Sequence, residues 1–536
     1  MPGTVGESLG SPGAADQRAQ DSGQDGAFDG DAPTLFGAVP FVRRAIAEWH
    51  SRIPTALLSE WAENMRESTA EIAVGQELLS QSGCSGTDAW VRWLQELLSH
   101  WSNTFGGAVT LVTQVVGAES APAKRVFLRE HACPQVLLQD VVEFKKNLVL
   151  NTMTGEYVTI PFGSVTGAGF SCASRSKMNR HRASNVGCVR GQVGSTGETF
   201  EAIKHLIVRS RAAVSFLECV VELAQEEVGP DGLSTSDADY IKESFEKEGF
   251  TAIVISHNPR MCGMPIDRWR LWVVIFNVPA DLAMPHLHKF HDLLESMRNG
   301  PQWPVADFLI PESTLKAWTD EAPIAASSVA KRGKKDCEWG DVHSDAFPRL
   351  GLEWPPSDAS LEGFRQRESE VTFAADKLHP LGDEEFSFLD ANHTFERLFK
   401  WDPATKSTVN PWKQHVPTLT AQSRIVCRFR DSSSGDSALR HVHALEMMSF
   451  QGWDIPMWKG KNPFATRGEL PITHELLRDM AGNMWNAGSF CPIAIAAFGA
   501  LPYRALRAQA VARESSAPQA VPESCPASDS FESDSD

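Results

Sequence analysis

The sequence predicts an α/β fold built around a parallel sheet. Five short runs rich in β-branched and aromatic residues end in polar or turn residues, which is typical of strands buried in a sheet. These runs are TLVTQVVGAE (110–119), PQVLLQDVVEF (134–144), AAVSFLECVVEL (212–223), TAIVIS (251–256) and RLWVVIFNV (270–278). Helix-compatible stretches separate them, such as AESAPAKRVFLREH (118–131) and TFEAIKHLIVRSR (199–211). This alternation indicates a parallel sheet, and such sheets bind ligands outside the carboxyl ends of their strands.

Helices are also predicted before and after these strands in the sequence. From 36 to about 80, apolar residues recur at helical spacing, with a break at Pro54. The segments RHVHALEMMSFQGWD (440–454) and ITHELLRDMAGNMWNAGSFCPIAIAAFGAL (472–501) show the same kind of pattern. Between about 290 and 415 the pattern is irregular, so we expect an inserted or second domain there.

The net charge of -18 is distributed unevenly over the 536 residues. Residues 1–35 hold six acids and one base, and residues 505–536 hold six acids and two bases. Both segments are rich in small and polar residues, so we expect them to be disordered. Residues 169–211 instead hold eight bases and two acids, which indicates either a solvated loop or a phosphate-binding strip. No long apolar run and no signal-peptide pattern occurs, which predicts a soluble intracellular protein that does not bind membranes.

The ten cysteines are scattered without CxxC pairs, so the sequence suggests neither a disulfide framework nor a metal site. Cys172 stands out because it lies in GAGFSCASRSKMNR (167–180), among Gly, Ser and basic residues. Nearby positive charge favours the thiolate form of a cysteine. Cys172 is therefore a candidate nucleophile, although a single loop cysteine is more often incidental.

Short motifs along the chain, taken in order, resemble those of the cytosine-5 DNA methyltransferases. They are GCSGTD (83–88), VVGAES (115–120), LLQD (137–140), SCASRS (171–176), FLECV (216–220), MPIDRWR (264–270), TLTAQSR (418–424), ALEMMSFQGWD (444–454) and MAGNMW (480–485). The resemblance covers roughly 83–285 and 416–500. It leaves the two ends, the helices before 83 and most of 290–415 unexplained.

This resemblance implies a Rossmann-like, S-adenosylmethionine-dependent methyltransferase domain with an inserted, smaller target-recognition region. The implied organisation is a disordered acidic tail (1–35), the first part of the catalytic and cofactor-binding domain (36–285), the target-recognition region (286–415), the C-terminal part of the catalytic domain (416–504) and a second disordered acidic tail (505–536). The implied partner is a cytosine-containing DNA duplex, from which such an enzyme must flip its target base.

The resemblance also implies a set of residues that bind S-adenosylmethionine. In GCSGTD a glycine allows the tight turn beside the cofactor, and Asp88 faces the amino-acid end of the cofactor. Glu119 accepts hydrogen bonds from the ribose hydroxyls, and Asp140 accepts from the adenine amino group. Acids that follow strands are also common as helix caps. The implied cofactor-binding residues are Ser85, Gly86, Asp88, Glu119, Asp140, Gly482 and Asn483.

Four residues match the catalytic positions of the family. Cys172 matches the nucleophile, whose thiolate attacks carbon 6 of cytosine and so activates carbon 5. Glu218 matches the glutamate that contacts ring nitrogen 3 and the exocyclic amine, and we expect burial to raise its pKa. Arg268 and Arg270 match the paired arginines that hold the base and a neighbouring phosphate.

The chain departs from the family pattern at several positions, which leaves alternatives open. Ser171 and Ala173 replace the usual proline and glutamine around the nucleophile, Cys219 replaces an asparagine, and Ile266 replaces a glutamine. The alternatives are an inactive relative that binds cofactor or DNA, an RNA cytosine-5 methyltransferase, and a plain interaction protein. The basic cluster AKRGKKD (330–336) is either a nuclear-localisation signal or an exposed loop, so nuclear localisation is an expectation that follows mainly from a DNA substrate.

Overall fold

A computed structural model describes most of the chain between residues 41 and 516. The described residues are 41–84, 86–107, 109–170, 188–191, 194–228, 234–311, 314–315, 343–354, 366–392, 401–402, 407–408, 410–430, 437–453 and 473–516. Within them, one large sheet carries helices on both faces, and a smaller sheet is formed by residues from the middle and later parts of the chain.

The large sheet has seven strands and confirms the predicted Rossmann-like α/β class. Its strands are β1 (Glu77–Gly83), β2 (Leu111–Ala118), β3 (Val136–Leu138), β6 (Val165–Gly169), β7 (Val214–Cys219), β10 (Thr251–His257) and β11 (Arg270–Phe276). They lie in the order β10, β11, β7, β6, β1, β2, β3. The neighbouring pairs from β7 to β3 are parallel, whereas β11 is antiparallel to both β7 and β10. The sequence predicted the strand that became β11 but not its reversed direction.

Helices cover both faces of this sheet. The described α-helices are α1 (Phe41–Ser51), α2 (Thr55–Ile72), α3 (Ala89–Phe105), α4 (Pro122–His131), α5 (Gly194–Ser210), α6 (Asp237–Glu246), α7 (Ala280–Ser296), α8 (Gln366–Leu378), α9 (Ala444–Phe450), α10 (His474–Asn483), α11 (Ala487–Ala500) and α12 (Tyr503–Ser516). Of these, α8 packs on the smaller sheet instead. Every residue of α11 is buried, because this helix contacts α2, α3 and α7. Helices α5 and α6 pack on the other face.

Strand β1 was not predicted, because its buried side chains are largely polar. Ser80, Gln81 and Ser82 are fully buried, so the apolar pattern of a core strand is missing. The structure satisfies them with side-chain partners, since Gln81 Nε2 donates to Thr166 Oγ1 and to Ser210 Oγ, both at 2.8 Å. Buried polar groups are tolerated when they are hydrogen-bonded in this way.

Strand β6, VTGAG, was missed for a different reason. Its five residues are all buried, but two are glycines, which lower the apparent strand propensity. A methyl group on Gly167 would lie 2.3 Å from the ring of Trp90, so the indole occupies the space that a side chain would fill. Packing against Trp90 therefore requires glycine at position 167, although glycine in a sequence argues against a strand.

The helix predicted over 440–454 is only partly correct. The first two residues of this segment end strand β16 (Ser437–His441), and helix α9 begins only at Ala444. Strand β16 pairs with β15 (Ile425–Arg430), which pairs with β12 (Phe386–Asp390). The alternation of polar and apolar residues in RHVHAL is too short to distinguish a strand from a helix. Pairing with β15 makes the start of this segment a strand.

Three short strand pairs complete the described architecture. The hairpin strands are β4 (Leu148–Leu150), β5 (Tyr157–Thr159), β8 (Glu226–Val228), β9 (Ser234–Ser236), β13 (Trp401–Asp402) and β14 (Ser407–Thr408). Helix α7 runs across the domain boundary expected at 285/286 and packs on α11. Helix α12 extends to Ser516 inside the segment expected to be disordered from 505, because Tyr503 and Leu506 are buried.

Among the described helices, none alone is long and apolar enough to cross a membrane; only the bent combination of His474–Ala500 with Tyr503–Arg513 reaches that length and composition.

Candidate functional site

The strand order creates a crevice between the carboxyl ends of β1 and β6. From β1 the chain proceeds to β2 and β3 on one side, and then returns to place β6 on the other side of β1. At such a switch point the loops diverge, which is where open α/β sheets bind ligands. We call the ends of β1, β2 and β3 the cofactor side, and the ends of β6, β7 and β11 the base side.

The loop after β1 begins the cofactor side. Cys84, Gly86 and Asp88 all have positive φ angles, of 56°, 70° and 50°. Cys84 N donates to Ala118 O at 3.1 Å, which ties the loop to the end of β2. A methyl group on Gly86 would lie 4.0 Å from the main-chain oxygen of Asn483, so two predicted cofactor residues are neighbours. Ser85, which was also predicted here, lies outside the described residues.

Asp88 is buried beneath this loop, at the beginning of α3. Its Oδ2 accepts hydrogen bonds from Ser82 Oγ at 2.8 Å and from Gln114 Nε2 at 2.5 Å. Burial raises the pKa of Asp88 to about 6, and these two hydrogen bonds oppose the increase. The structure thus gives Asp88 a role in holding the loop against β1 and β2, and its expected contact with the cofactor stays a prediction.

Glu119 and Asp140 follow β2 and β3, as the motifs require. Glu119 is 8% exposed, and its Oε1 accepts from Ala121 N at 2.9 Å. Burial raises the pKa of Glu119, whereas the bond from Ala121 and the charge of Lys124 lower it. Asp140 accepts from Val142 N at 3.0 Å and caps the short 3₁₀ helix Val141–Lys145. The capping role and a ligand-binding role are compatible, because a carboxylate has further acceptor positions.

A bridge that sequence reasoning missed closes the cofactor side. Lys124 Nζ on α4 lies 2.7 Å from Asp479 Oδ2 on α10, and Asp479 Oδ1 accepts from Asn483 Nδ2 at 2.9 Å. The lysine side chain is only 11% exposed. This bridge links the helix that follows Glu119 with the helix that ends in Gly482 and Asn483. Lys124 and Asp479 have ordinary helix-surface patterns in sequence, so no local signal marks them.

Cys172 lies outside the described residues, but the strand that leads to it is well defined. Gly169 is the last residue of β6 and pairs with Glu218 on β7. A methyl group on Gly169 would lie 3.4 Å from Cys84 O, 3.8 Å from Trp485 Nε1 and 3.9 Å from Glu218 O. Strand β6 therefore ends between the cofactor loop and Glu218.

Glu218 and Arg270 form the centre of the base side. Arg270 Nε lies 3.0 Å from Glu218 Oε1, and Arg268 Nη2 lies 3.7 Å from the same oxygen. The Glu218 side chain is 10% exposed and that of Arg270 is 17% exposed. On β11, Trp272 is directly opposite Glu218 in the ladder. Two guanidinium groups thus converge on a nearly buried carboxylate at the edge of the crevice.

Arg268 differs from the expectation that it holds the base. Its side chain is 2% exposed, and its guanidinium donates to Leu419 O at 2.9 Å, Gly482 O at 3.1 Å and Met484 O at 3.0 Å. Burial lowers the pKa of Arg268 to about 9. These hydrogen bonds all go to main-chain carbonyls, so Arg268 is a positioning residue that joins β11 to the segments around 419 and 482–484.

Gly482 is required by the same junction. A methyl group there would lie 2.2 Å from the carbonyl carbon of Thr420 and 2.3 Å from Ala421 N, both main-chain atoms. The segment TLTAQSR, which the motif order singled out, packs directly on this glycine. The expected role of Gly482 in closing the cofactor pocket thus coincides with a packing role, and its contact with cofactor stays a prediction.

Comparisons with known proteins add little to this geometry. No family model matches the chain, and no curated protein matches it. The structure of the Dnmt2 methyltransferase of S. pombe is similar with 9% identity and a TM-score of 0.35, over 78% of this chain and 97% of that chain. The methyltransferase EhMeth of Entamoeba histolytica is similar with 11% identity and a TM-score of 0.39, over 79% of this chain and 98% of that chain. Similarity at this level supports no conclusion about activity, so the fold and site define only the class, a Rossmann-like α/β protein with a crevice at its switch point.

Proposed function

We propose that this chain transfers a methyl group from S-adenosylmethionine to carbon 5 of cytosine in DNA, through a covalent adduct with Cys172. The observation that carries the proposal is the position of Gly169, within contact distance of both Cys84 O and Glu218 O. Cys172 follows three residues later, and three extended residues span at most about 10 Å. We propose that the loop after Gly169 brings the Cys172 thiol to the target base, between the cofactor loop and Glu218.

The residues of the cofactor side fit S-adenosylmethionine. This cofactor carries a positive sulfonium, an ammonium group, ribose hydroxyls and an adenine amine. Asp88, Glu119 and Asp140 stand at the ends of three adjacent strands and offer carboxylate acceptors for those groups. The positive φ of Gly86 lets the main chain turn beside the cofactor at no steric cost. When bound, S-adenosylmethionine supplies an electrophilic methyl group.

The base side supplies the remaining chemistry. The Cys172 thiolate adds to carbon 6 of the flipped cytosine, and Glu218 holds a proton at ring nitrogen 3 so that the ring accepts the electron pair. Carbon 5 would then take the methyl group that bound S-adenosylmethionine supplies, with the cofactor leaving as a neutral thioether. Loss of the carbon 5 proton to a base and expulsion of the thiolate restore the ring. Arg270 orients both Glu218 and the cytosine.

A nucleic-acid partner is consistent with the charge around the nucleophile. Residues 169–182, around Cys172, hold four bases and no acid in a chain whose net charge is -18, which favours an anionic partner. We propose duplex DNA as the partner, the region 286–415 as its target-recognition region and the nucleus as the place of action. RNA as the substrate and an inactive relative that only binds cofactor or DNA are the alternatives that the experiment separates.

The test is to trap the covalent adduct. The full-length protein is incubated with S-adenosylmethionine and a duplex that contains 5-fluorocytosine, in which fluorine prevents loss of the group at carbon 5. We expect a protein–DNA adduct that survives denaturation and disappears in Cys172→Ala. The matched control is Cys133→Ala, because Cys133 is an exposed free thiol with no predicted role.

Each outcome of this test decides between the candidates. An adduct only with a 5-fluorocytosine RNA of the same sequence would replace DNA by RNA as the substrate. Binding of S-adenosylmethionine by calorimetry without any adduct would indicate the inactive relative. Absence of both cofactor binding and adduct formation would overturn the proposed function.

A further inference from the structure

Trp269 is unusual among the tryptophans of this chain. It is 47% exposed, whereas the other tryptophans whose burial the structure describes are buried or partly buried. Trp49, Trp90 and Trp272, for example, are each at most 1% exposed. An exposed indole loses the stabilisation that burial of so much apolar surface would provide. Packing in the protein core therefore does not explain why Trp269 is exposed.

The main chain on both sides of Trp269 is held firmly. Asp267 N donates to Val416 O at 2.9 Å, and Arg268 N donates to Asn258 Oδ1 at 3.2 Å. Thr418 Oγ1 donates to Asp267 O at 2.6 Å. On the other side, Arg270 Nη1 donates to the carbonyl oxygen of Trp269 at 2.7 Å, and β11 begins at Arg270. The indole is thus presented from a rigid support, which lowers the entropy lost when it binds a partner.

The position of Trp269 relates it to the candidate site. It lies between Arg268 and Arg270, whose guanidinium groups both approach Glu218. Trp269 directly precedes β11 and is adjacent in sequence to Arg270, whose side chain contacts Glu218.

An aromatic ring among positive charges is the combination by which proteins bind unpaired nucleotides. Bases stack on exposed aromatic side chains, and basic groups hold the neighbouring phosphates. Trp269 supplies the ring, and Arg270 beside it supplies a charge that is 17% exposed. On this basis, and resting on the proposed function, we infer that Trp269 stacks on a nucleotide next to the target cytosine. That neighbouring base must then be unpaired or unstacked in the complex.

The experiment measures binding to a DNA duplex labelled at one end, with 2-aminopurine next to the target cytosine and mismatched to the other strand. We expect the wild-type protein to bind this probe more tightly than the fully paired duplex and to quench the 2-aminopurine fluorescence. Trp269→Ala should weaken binding by about 10- to 100-fold, the range typical of one lost base–aromatic stack, and abolish the quenching. Trp269→Phe should retain most of both effects.

The control variant is Tyr157→Ala, which removes a 69% exposed aromatic ring on the β4–β5 hairpin. We expect it to bind and quench as the wild type does, and all variants to unfold at the same temperature and bind S-adenosylmethionine equally. Unchanged binding and quenching in Trp269→Ala, or an equal loss in Tyr157→Ala, would overturn the role of Trp269 and leave the proposed function intact. Failure of the wild-type protein to bind any DNA probe would overturn both.

Discussion

The acidic residues on the two sides of the crevice have different kinds of partner. On the cofactor side, Asp88 accepts from the neutral groups of Ser82 and Gln114, and Glu119 accepts from a main-chain amide. Lys124, the cation nearest to Glu119 in sequence, pairs with Asp479 instead. On the base side, Glu218 faces two guanidinium groups.

This difference indicates which ligand charge each side of the crevice favours. Burial raises the pKa of both Asp88 and Glu119, so a positively charged ligand on this side would stabilise their ionised forms. An acid already paired with two arginines leaves surplus positive charge for an anionic partner. A cationic cofactor on one side and a phosphate-bearing substrate on the other match this division.

The largest expected effect is on activity and concerns Glu218. Glu218→Gln preserves the shape of the side chain but removes its charge and its capacity to hold a proton at the ring. We expect a loss of about 10²- to 10⁴-fold in the rate of methyl transfer under single-turnover conditions. Glu226→Gln, an exposed glutamate on β8, is the control and should retain full activity. Equal rates for both variants would remove Glu218 from the mechanism.

The second prediction concerns the contribution of Arg268 to stability. Arg268→Met leaves three main-chain carbonyls without their donor inside the protein. We expect the free energy of unfolding, measured with urea, to fall by about 3–5 kcal/mol. Arg44→Met, which removes an exposed ion pair with Asp307, should cost less than about 1 kcal/mol. A small effect at Arg268 would contradict its role as a structural link.

The third prediction concerns how the free energy of unfolding depends on pH through Asp88. Because burial raises its pKa from 3.8 to about 6, the folded state holds the proton more tightly than the unfolded state between these pH values. The free energy of unfolding should therefore fall by up to about 3 kcal/mol as pH rises from 4 to 7. Asp88→Asn should not show this decrease, and asparagine tolerates the positive φ of this position. Parallel stability curves of the two proteins between pH 4 and 7 would contradict the assignment.

The smallest expected effect compares two glycines. Gly86 and Gly106 both have positive φ angles, of 70° and 74°, and a methyl group at Gly106 would meet no atom within 4 Å. Each glycine-to-alanine change should lower the free energy of unfolding by about 1 kcal/mol. Only Gly86→Ala should also weaken binding of S-adenosylmethionine, as measured by calorimetry. Equal cofactor affinity in both variants would exclude the loop after β1 from the binding site.

The outer strands of the large sheet were predictable because local pattern and tertiary environment agree. TAIVIS and RLWVVIFNV contain dense β-branched and aromatic residues, and they became β10 and β11. The central strands β1 and β6 were not predictable, although they form the crevice. Their polar and glycine residues are acceptable only because Gln81 finds Thr166 and Ser210, and because Trp90 covers Gly167. The two strands that border the crevice are thus the ones whose local signal is weakest.

By itself, the sequence determined the α/β class, the order of the motifs, the acids that follow β2 and β3, and the acid near the end of β7. These properties depend on residues close together in the chain, whose pattern is visible without a structure. Only the tertiary structure decided that β11 is reversed, that Arg268 joins the main chain around 419 and 482–484, and that Lys124 reaches Asp479. Each of these depends on contacts between segments far apart in sequence, and the shared environment of such segments exists only after the chain has folded.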